Sequence, residues 1–416
     1  MVHGHRRQSV TLVVAGSLAC LLIWPSSAAR AADGSVDEQV ASAMSRFAFK
    51  LFSELTRHAG GQNLFLSPAS IAVALAMTYN GARGATQQVM AETLQLSGLS
   101  QEDVNRGYTV LMQALQQQAT VELSMANSLW ADQGVRFNEA FIDSSRTSYG
   151  AEVATLDFSD REGTARRING WVSQETRKKI TEIVKAEEID VGPKKWTVLF
   201  LLNAIYFKGR WAVPFDKAKT QLGVFHLGGG RQKPHPLMSR SGKYRYFEGA
   251  DFQAVSLPYG DGRFSMYVFL PDQASSLEAL WAQLNDEQWQ RWMHRFRQQP
   301  GEVVLPRFTV EYEVRLDDVL KAMGMGLAFS EMANFRGMSE VLEKLWIDMV
   351  KHKAFVEVNE EGTEAAAATV VEMVTESAVM ARPFRMVVDR PFFFAIRDGH
   401  TGTLLFLGAV VDPQES

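Results

Sequence analysis

Apolar residues recur at spacings of three and four in the first part of the chain, and in alternation or unbroken runs in the rest. Val40, Met44, Phe47, Leu51 and Leu55 form a helical stripe that Gly60-Gly61 stops. A second helix is predicted to open at Ser67-Pro68, a capping residue followed by proline at the first helical position, and to end near Asn80-Gly81. Residues 101–121 and 316–323 read as further helices. Residues 198–207 are too continuously apolar for a half-exposed strand and predict one buried on both faces. Residues 264–270, 354–358, 392–396 and 404–411 are further strand candidates. Helices first and strands later predict an α+β fold rather than alternating βαβ units. No repeat, low-complexity tract or Pro/Ser-rich linker divides residues 32–416, so one large domain is expected.

One segment departs from these patterns. After the alternating run 353–358 comes Glu360-Glu361-Gly362-Thr363-Glu364-Ala365-Ala366-Ala367-Ala368-Thr369, with small side chains where a surface loop normally carries bulk and charge. More than twenty residues separate Gly362 from the next strand near Pro391, a span that in a compact domain tends to be functional or disordered. Alanine favours helix, so a surface helix over 364–376 is one reading. The strand before Gly362, and Thr369, Val370, Val371, Val374 and Thr375 after it, favour an extended segment. Threaded as a strand, Thr363, Ala365, Ala367, Thr369 and Val371 share one face, all small enough to bury, while Glu364, Ala366, Ala368, Val370 and Glu372 share the other.

Composition narrows the class. Residues 1–31 read as an export signal: Arg6-Arg7, an apolar stretch 10–24 broken by Gly16-Ser17 and closed at Pro25, and a small-residue cleavage site Ala29-Arg30-Ala31. Neither twin-arginine export through Arg6-Arg7 nor lipidation of Cys20 fits the flanking residues. Cys20 is the only cysteine and leaves with the signal, so a secreted or periplasmic chain without disulfides is expected. The mature chain carries 40 basic and 47 acidic residues, a balance of −7, which argues against non-specific nucleic-acid or anionic-membrane binding. There is no GxSxG elbow, no HExxH pair and no mature thiol, and the histidines are scattered, which argues against a secreted hydrolase. No motif supports a metal, nucleotide or other cofactor. Arg177-Lys178-Lys179 and Lys194-Lys195 read as solvated surface, and residues 101–121 lack a basic cluster for polyanion activation.

The small-residue segment resembles the reactive-loop hinge of serpins, the serine protease inhibitor superfamily, and the likeness extends over nearly the whole mature chain. Asn63-Leu64-Phe65-Leu66-Ser67-Pro68-Ala69-Ser70 resembles the start of the family's shutter helix, and Gly81-Ala82-Arg83-Gly84-Ala85-Thr86 the turn after it. Asn203-Ala204-Ile205-Tyr206-Phe207-Lys208-Gly209-Arg210-Trp211, with Phe215 and Thr220 behind it, is similar to the family's most recognisable internal motif. Leu305-Pro306-Arg307-Phe308, His352-Lys353-Ala354, Asp389-Arg390-Pro391-Phe392 and Leu404-Leu405-Phe406-Leu407-Gly408 complete the set.

The resemblance implies a serpin fold with N-terminal helices around a large mixed central sheet, smaller sheets, and an exposed loop over about 360–385. It implies a hinge at Glu360, Gly362, Thr363, Ala365, Ala366, Ala367, Ala368 and Thr369. Ser67, Ser70, Asn203 and His352 would form a polar shutter under the sheet. Trp211 and Arg307 would lie at the breach where the loop enters, with Arg307 paired to Glu360. It also implies an exported, prokaryotic-type, monomeric inhibitor that traps a serine protease as a covalent acyl-enzyme without catalytic residues of its own. The family's count from Gly362 places the cleaved bond at Glu376-Ser377, whereas counting back from Pro391-Phe392 suggests Met380-Ala381 or Val379-Met380. A cut four residues further on adds about 13 Å of extended chain and slackens the pull, which favours Glu376-Ser377. The expected target accepts glutamate or is elastase-like. The rival within the family is a non-inhibitory carrier, chaperone or plain substrate; such members typically spoil the hinge with charge or proline.

Overall fold

The computed structural model describes residues 1–2, 35–57, 60–116, 121–189, 191–192, 195–196, 199–339, 345–363 and 382–415. The chain divides into two compact units, Met1–Gly34 and Ser35–Ser416. The export signal, most of the hinge (Ala365–Thr369) and every candidate for the cleaved bond (Glu376, Ser377, Val379, Met380, Ala381) lie outside the described residues.

The larger unit is α+β. Helix Val36–Thr56 opens with a reciprocal Ser35/Glu38 capping box and buries its predicted stripe. Helix Pro68–Gly81 starts and ends where its capping signals place it, and it is buried on every side, as its all-round apolar sequence requires. Residues 316–323 are helical as read, but only Asp317–Leu320 is an α-helix, and it passes into a π turn over Lys321–Met325 in which Gly324 takes φ +111°. One sequence reading needs correction. The helix Gln101–Gln116 does not reach Val121, which opens a strand. Strands Val121–Asp132 and Glu152–Leu156 thus lie among the early helices, and helices Leu277–Trp281 and Asp286–Met293 among the late strands.

Among the described residues two large sheets form. One has nine strands and includes Leu64–Leu66, Phe264–Pro271, Phe392–Asp398 and Leu404–Val410. The other has six and is mixed, running Phe308–Arg315, Met349–Asn359, Gly362–Thr363, Leu199–Arg210, Val121–Asp132 and Glu152–Leu156. The largely apolar strand Leu199–Arg210 serves two cores at once. Leu199, Leu201, Ile205 and Phe207 join the main core between the sheets, while Phe200, Leu202 and Ala204 pack with Ile168, Val172, Ile180, Ile183 and Val184 on the opposite face.

Candidate functional site

The six-stranded sheet has a seam. Strands Leu199–Arg210 and Met349–Asn359 pair in parallel from Met349↔Phe200 through Phe355↔Tyr206. Beyond Phe355 they part, and Gly362–Thr363 sits between them, antiparallel to both: Thr363 pairs with Val358 and Gly209, Gly362 with Asn359 and Arg210. The chain reaches this slot through Gly362, whose φ of +148° suits glycine and whose Cβ, were there one, would lie 2.1 Å from the Gly209 carbonyl oxygen. Thr363 is fully buried, its hydroxyl 2.7 Å from the Tyr259 hydroxyl. That phenol is also buried, which pushes its pKa up and keeps it a neutral donor or acceptor.

Polar contacts fasten the mouth of the slot. Arg307 Nε donates to both oxygens of Glu360 at 2.8 and 3.0 Å, and the Thr220 hydroxyl donates to the same carboxylate. Burial works to raise the Glu360 pKa, but the Arg307 and Thr220 hydrogen bonds outweigh it and hold the group below the usual carboxylate range. Trp211 stacks on Tyr259 at 4.5 Å and donates its indole N–H to the Asn359 carbonyl at 2.9 Å. The backbone N–H groups of Trp211 and Phe215 donate to the Glu361 and Glu360 carbonyls. Trp211, Arg307, Glu360, Gly362 and Thr363 are therefore brought to one end of the seam.

Ser67, Ser70, Asn203 and His352 are brought together under its closed part. The backbone N–H of Ser67 donates to His352 Nε2 at 3.1 Å, so that nitrogen accepts and the proton sits on Nδ1, which faces Asn203 Oδ1 at 2.5 Å. Asn203 Nδ2 donates to the Ser70 hydroxyl and to Asn127 Oδ1, and the Ser67 hydroxyl caps the helix by accepting from Ser70 N at 3.2 Å. Asn203 and His352 are register partners across the seam, so their side-chain bond crosses the line along which the strands meet. The sequence reading missed Asn127, Tyr259 and the carboxylate contact of Thr220. Asn127 stands opposite Asn203 in a strand that the sequence reading did not detect.

Burial pushes the His352 pKa down to about 3, so the neutral ring is the folded form. The unfolded chain takes up this proton near pH 6.5 and the folded chain does not. The stabilisation is complete above pH 6.5 and is lost as pH falls towards 3, by up to about 1.4 kcal/mol per pH unit. Burial shifts His235 in the same direction, so comparison with a variant isolates the effect. Urea unfolding of the wild type should lose about 2 kcal/mol more than His352→Asn between pH 6.5 and 5; parallel pH curves would count against the assignment.

The fold and this seam define the class. The serpin (serine protease inhibitor) family profile matches residues 42–413. The chain is 33% identical to neuroserpin of Gallus gallus over 410 residues, covering 95% of this chain and 96% of that protein. It is 36% identical to the leukocyte elastase inhibitor of Bos taurus over 386 residues, covering 90% and 100%. Human thyroxine-binding globulin, solved in complex with its thyroid hormone ligand, superposes with a TM-score of 0.82 at 28% identity, covering 91% of this chain and all of that one. The chain belongs to the serpin family. Among the described residues no helix is long and apolar enough to cross a membrane, and no cluster of His, Cys, Asp and Glu is placed to hold a metal ion.

Proposed function

We propose that the chain is a suicide-substrate inhibitor of serine proteases, exported to the periplasm or beyond and acting as a monomer. The protease serine oxygen attacks the carbonyl carbon of the loop residue at the cut, here Glu376. The peptide bond to Ser377 breaks, the new amino terminus of Ser377 departs with a proton, and an ester joins protease to inhibitor. The freed hinge then enters the seam as a new strand. The protease supplies all the chemistry and the inhibitor supplies the displacement.

The observation that carries this reading is the seated pair Gly362–Thr363. Continuing its register past Thr363↔Gly209 and Thr363↔Val358 brings Ala365 opposite Phe207 and Val356, and Ala367 opposite Ile205 and Ala354. Thr369 then falls opposite both Asn203 and His352, and Val371 opposite Leu201 and Val350. Each small odd-numbered side chain meets the main core, and the one hydroxyl among them arrives where the Asn203–His352 bond has to open. An ester at Glu376 would travel roughly 43 Å along such a strand, at about 3.3 Å per residue from Thr363. The relatives also support a protease partner, since one is named an elastase inhibitor. A carrier role, such as the hormone complex of the globulin neighbour represents, finds no counterpart in charge or proline at Gly362 or Thr363.

Mixing the protein with elastase-like and glutamate-accepting serine proteases and running a denaturing gel tests the proposal. A band at the summed mass, with protein sequencing placing the new amino terminus at Ser377, is expected. Complete loop cleavage without any adduct in the whole panel would leave the substrate or carrier role instead.

A further inference from the structure

A charged side chain lies almost wholly buried beside the seam. Lys351 belongs to the Met349–Asn359 strand, is paired in register with Leu202 across the seam, and is only 4% exposed. Its ammonium group stands 2.9 Å from both carboxylate oxygens of Glu188 and 2.8 Å from Glu313 Oε1. Glu313 lies on the neighbouring strand and moves with Lys351, but Glu188 comes from outside the sheet. It sits in the turn Ala186–Glu188, where its carboxylate also accepts the Lys185 backbone N–H at 2.8 Å. That turn ends the segment that follows helix Arg161–Glu175 and covers the seam. Ile183, Val184 and Ile189 of the segment bury in one cluster with Phe200 and Leu202 of one seam strand and Met349 of the other.

We propose that the Glu188–Lys351 pair is a lock that fastens the covering segment to one side of the seam and slows strand insertion. This rests on the insertion reading above. Admitting a strand moves the two sides apart by about 4.8 Å, one inter-strand spacing. Asn169 of helix Arg161–Glu175 bonds the backbone of Ile183 and Val184, and Trp171 of the same helix packs on Trp130 of the strand beside Leu199–Arg210, so the segment stays with that side while Lys351 moves with the other. Apolar packing is non-directional and re-forms as surfaces slide. An ion pair with both oxygens on one ammonium has a single geometry, and breaking it leaves the part-buried Glu188 carboxylate without the Lys351 cation, while Lys351 keeps Glu313. The pair therefore holds in the closed sheet and is lost on the way to the open one. By the extended register Lys351 stands opposite Val370, one residue past the Thr369 level, so the lock acts on the later part of insertion, after the shutter has opened.

The test follows the gain of heat resistance after the loop is nicked by a protease that cuts within 364–381. Glu188→Gln keeps the shape of the side chain and removes its charge. Lys351→Met removes the other charge, fills the space with an unbranched side chain, and carries the comparison if the first variant fails to fold. Glu187→Gln, an exposed neighbour, removes the same charge away from the lock. The first two should gain heat resistance about tenfold faster than wild type or more, and Glu187→Gln at the wild-type rate. Wild-type rates in both lock variants, or equal acceleration in Glu187→Gln, would overturn the lock while leaving the insertion reading standing. A nicked wild type that gains no heat resistance would remove the insertion reading and the lock together.

Discussion

Thr363→Arg is expected to abolish the covalent adduct and to leave a protein that proteases cut without being held. Thr363 is the first loop residue whose side chain enters the core, and its hydroxyl meets only the buried Tyr259. An arginine there has no carboxylate within the slot, and burying an unpaired charge costs several kcal/mol even after relaxation. Because Thr363 is already seated in the intact fold, the arginine unseats the Gly362–Thr363 pair, so the cost is met when insertion forces that residue back into the slot, and the step slows by about a thousandfold or more. Hydrolysis of the ester then wins the race, so inhibitor consumed per protease inactivated rises steeply while the rate of loop cleavage is unchanged. Tyr259→Phe is the graded companion, because it keeps the ring that stacks on Trp211 and removes only the hydroxyl. Persistence of the adduct at wild-type yield in Thr363→Arg would end the insertion mechanism for this chain.

Nicking the loop should raise the melting temperature of the wild type. For most proteins a cut lowers it, since a cut gives the unfolded chain more freedom. Here the seam strands have seven register pairs with each other, and an inserted strand replaces that pairing with antiparallel pairing on two sides while burying Ala365, Ala367, Thr369 and Val371 against the main core. In a chain of this length each 1 kcal/mol gained moves the midpoint by about 1 °C, so a rise of about 10 °C or more reports a large store of energy in the intact form. Calorimetry of the intact and nicked proteins at one scan rate reads it directly. Equal midpoints would mean that the intact fold stores nothing for insertion to release. Nicked Thr363→Arg, in which insertion is blocked, should stay near the intact value, which separates insertion from any general effect of cleavage.

Much of this was legible in the chain. The capping dipeptide Ser67-Pro68 and the glycine at 81 bound a helix that the structure ends at the same residues, because capping is a local matter of which groups satisfy the first and last turns. The strand read over 198–207 was legible because burial on two faces leaves its sequence apolar except at Asn203. The helix over 316–323 was legible from its apolar spacing, but its change from α to π after Leu320, with Gly324 at φ +111°, was not. Strand Val121–Asp132, and with it Asn127, went unseen although Val121, Leu123 and Met125 alternate with Glu122 and Ser124, because the helical reading from Gln101 was carried to Val121 and the alternation breaks at Ala126-Asn127-Ser128.

What the residues alone determined is chemical capacity. The alternation of small side chains from Thr363 makes a strand that could be buried on one face, and a sequence whose one cysteine is Cys20 leaves packing, not internal disulfides, to hold the fold. What only the tertiary structure decided is where those capacities meet. Four polar residues separated by up to 285 positions converge on one hydrogen-bonded cluster, a parallel seam is closed below and open above, and Lys351 is brought to a carboxylate 163 residues away. No local preference specifies such meetings. They follow from the crossing of strands in one sheet and from the requirement that every charge and polar group taken out of water finds a partner.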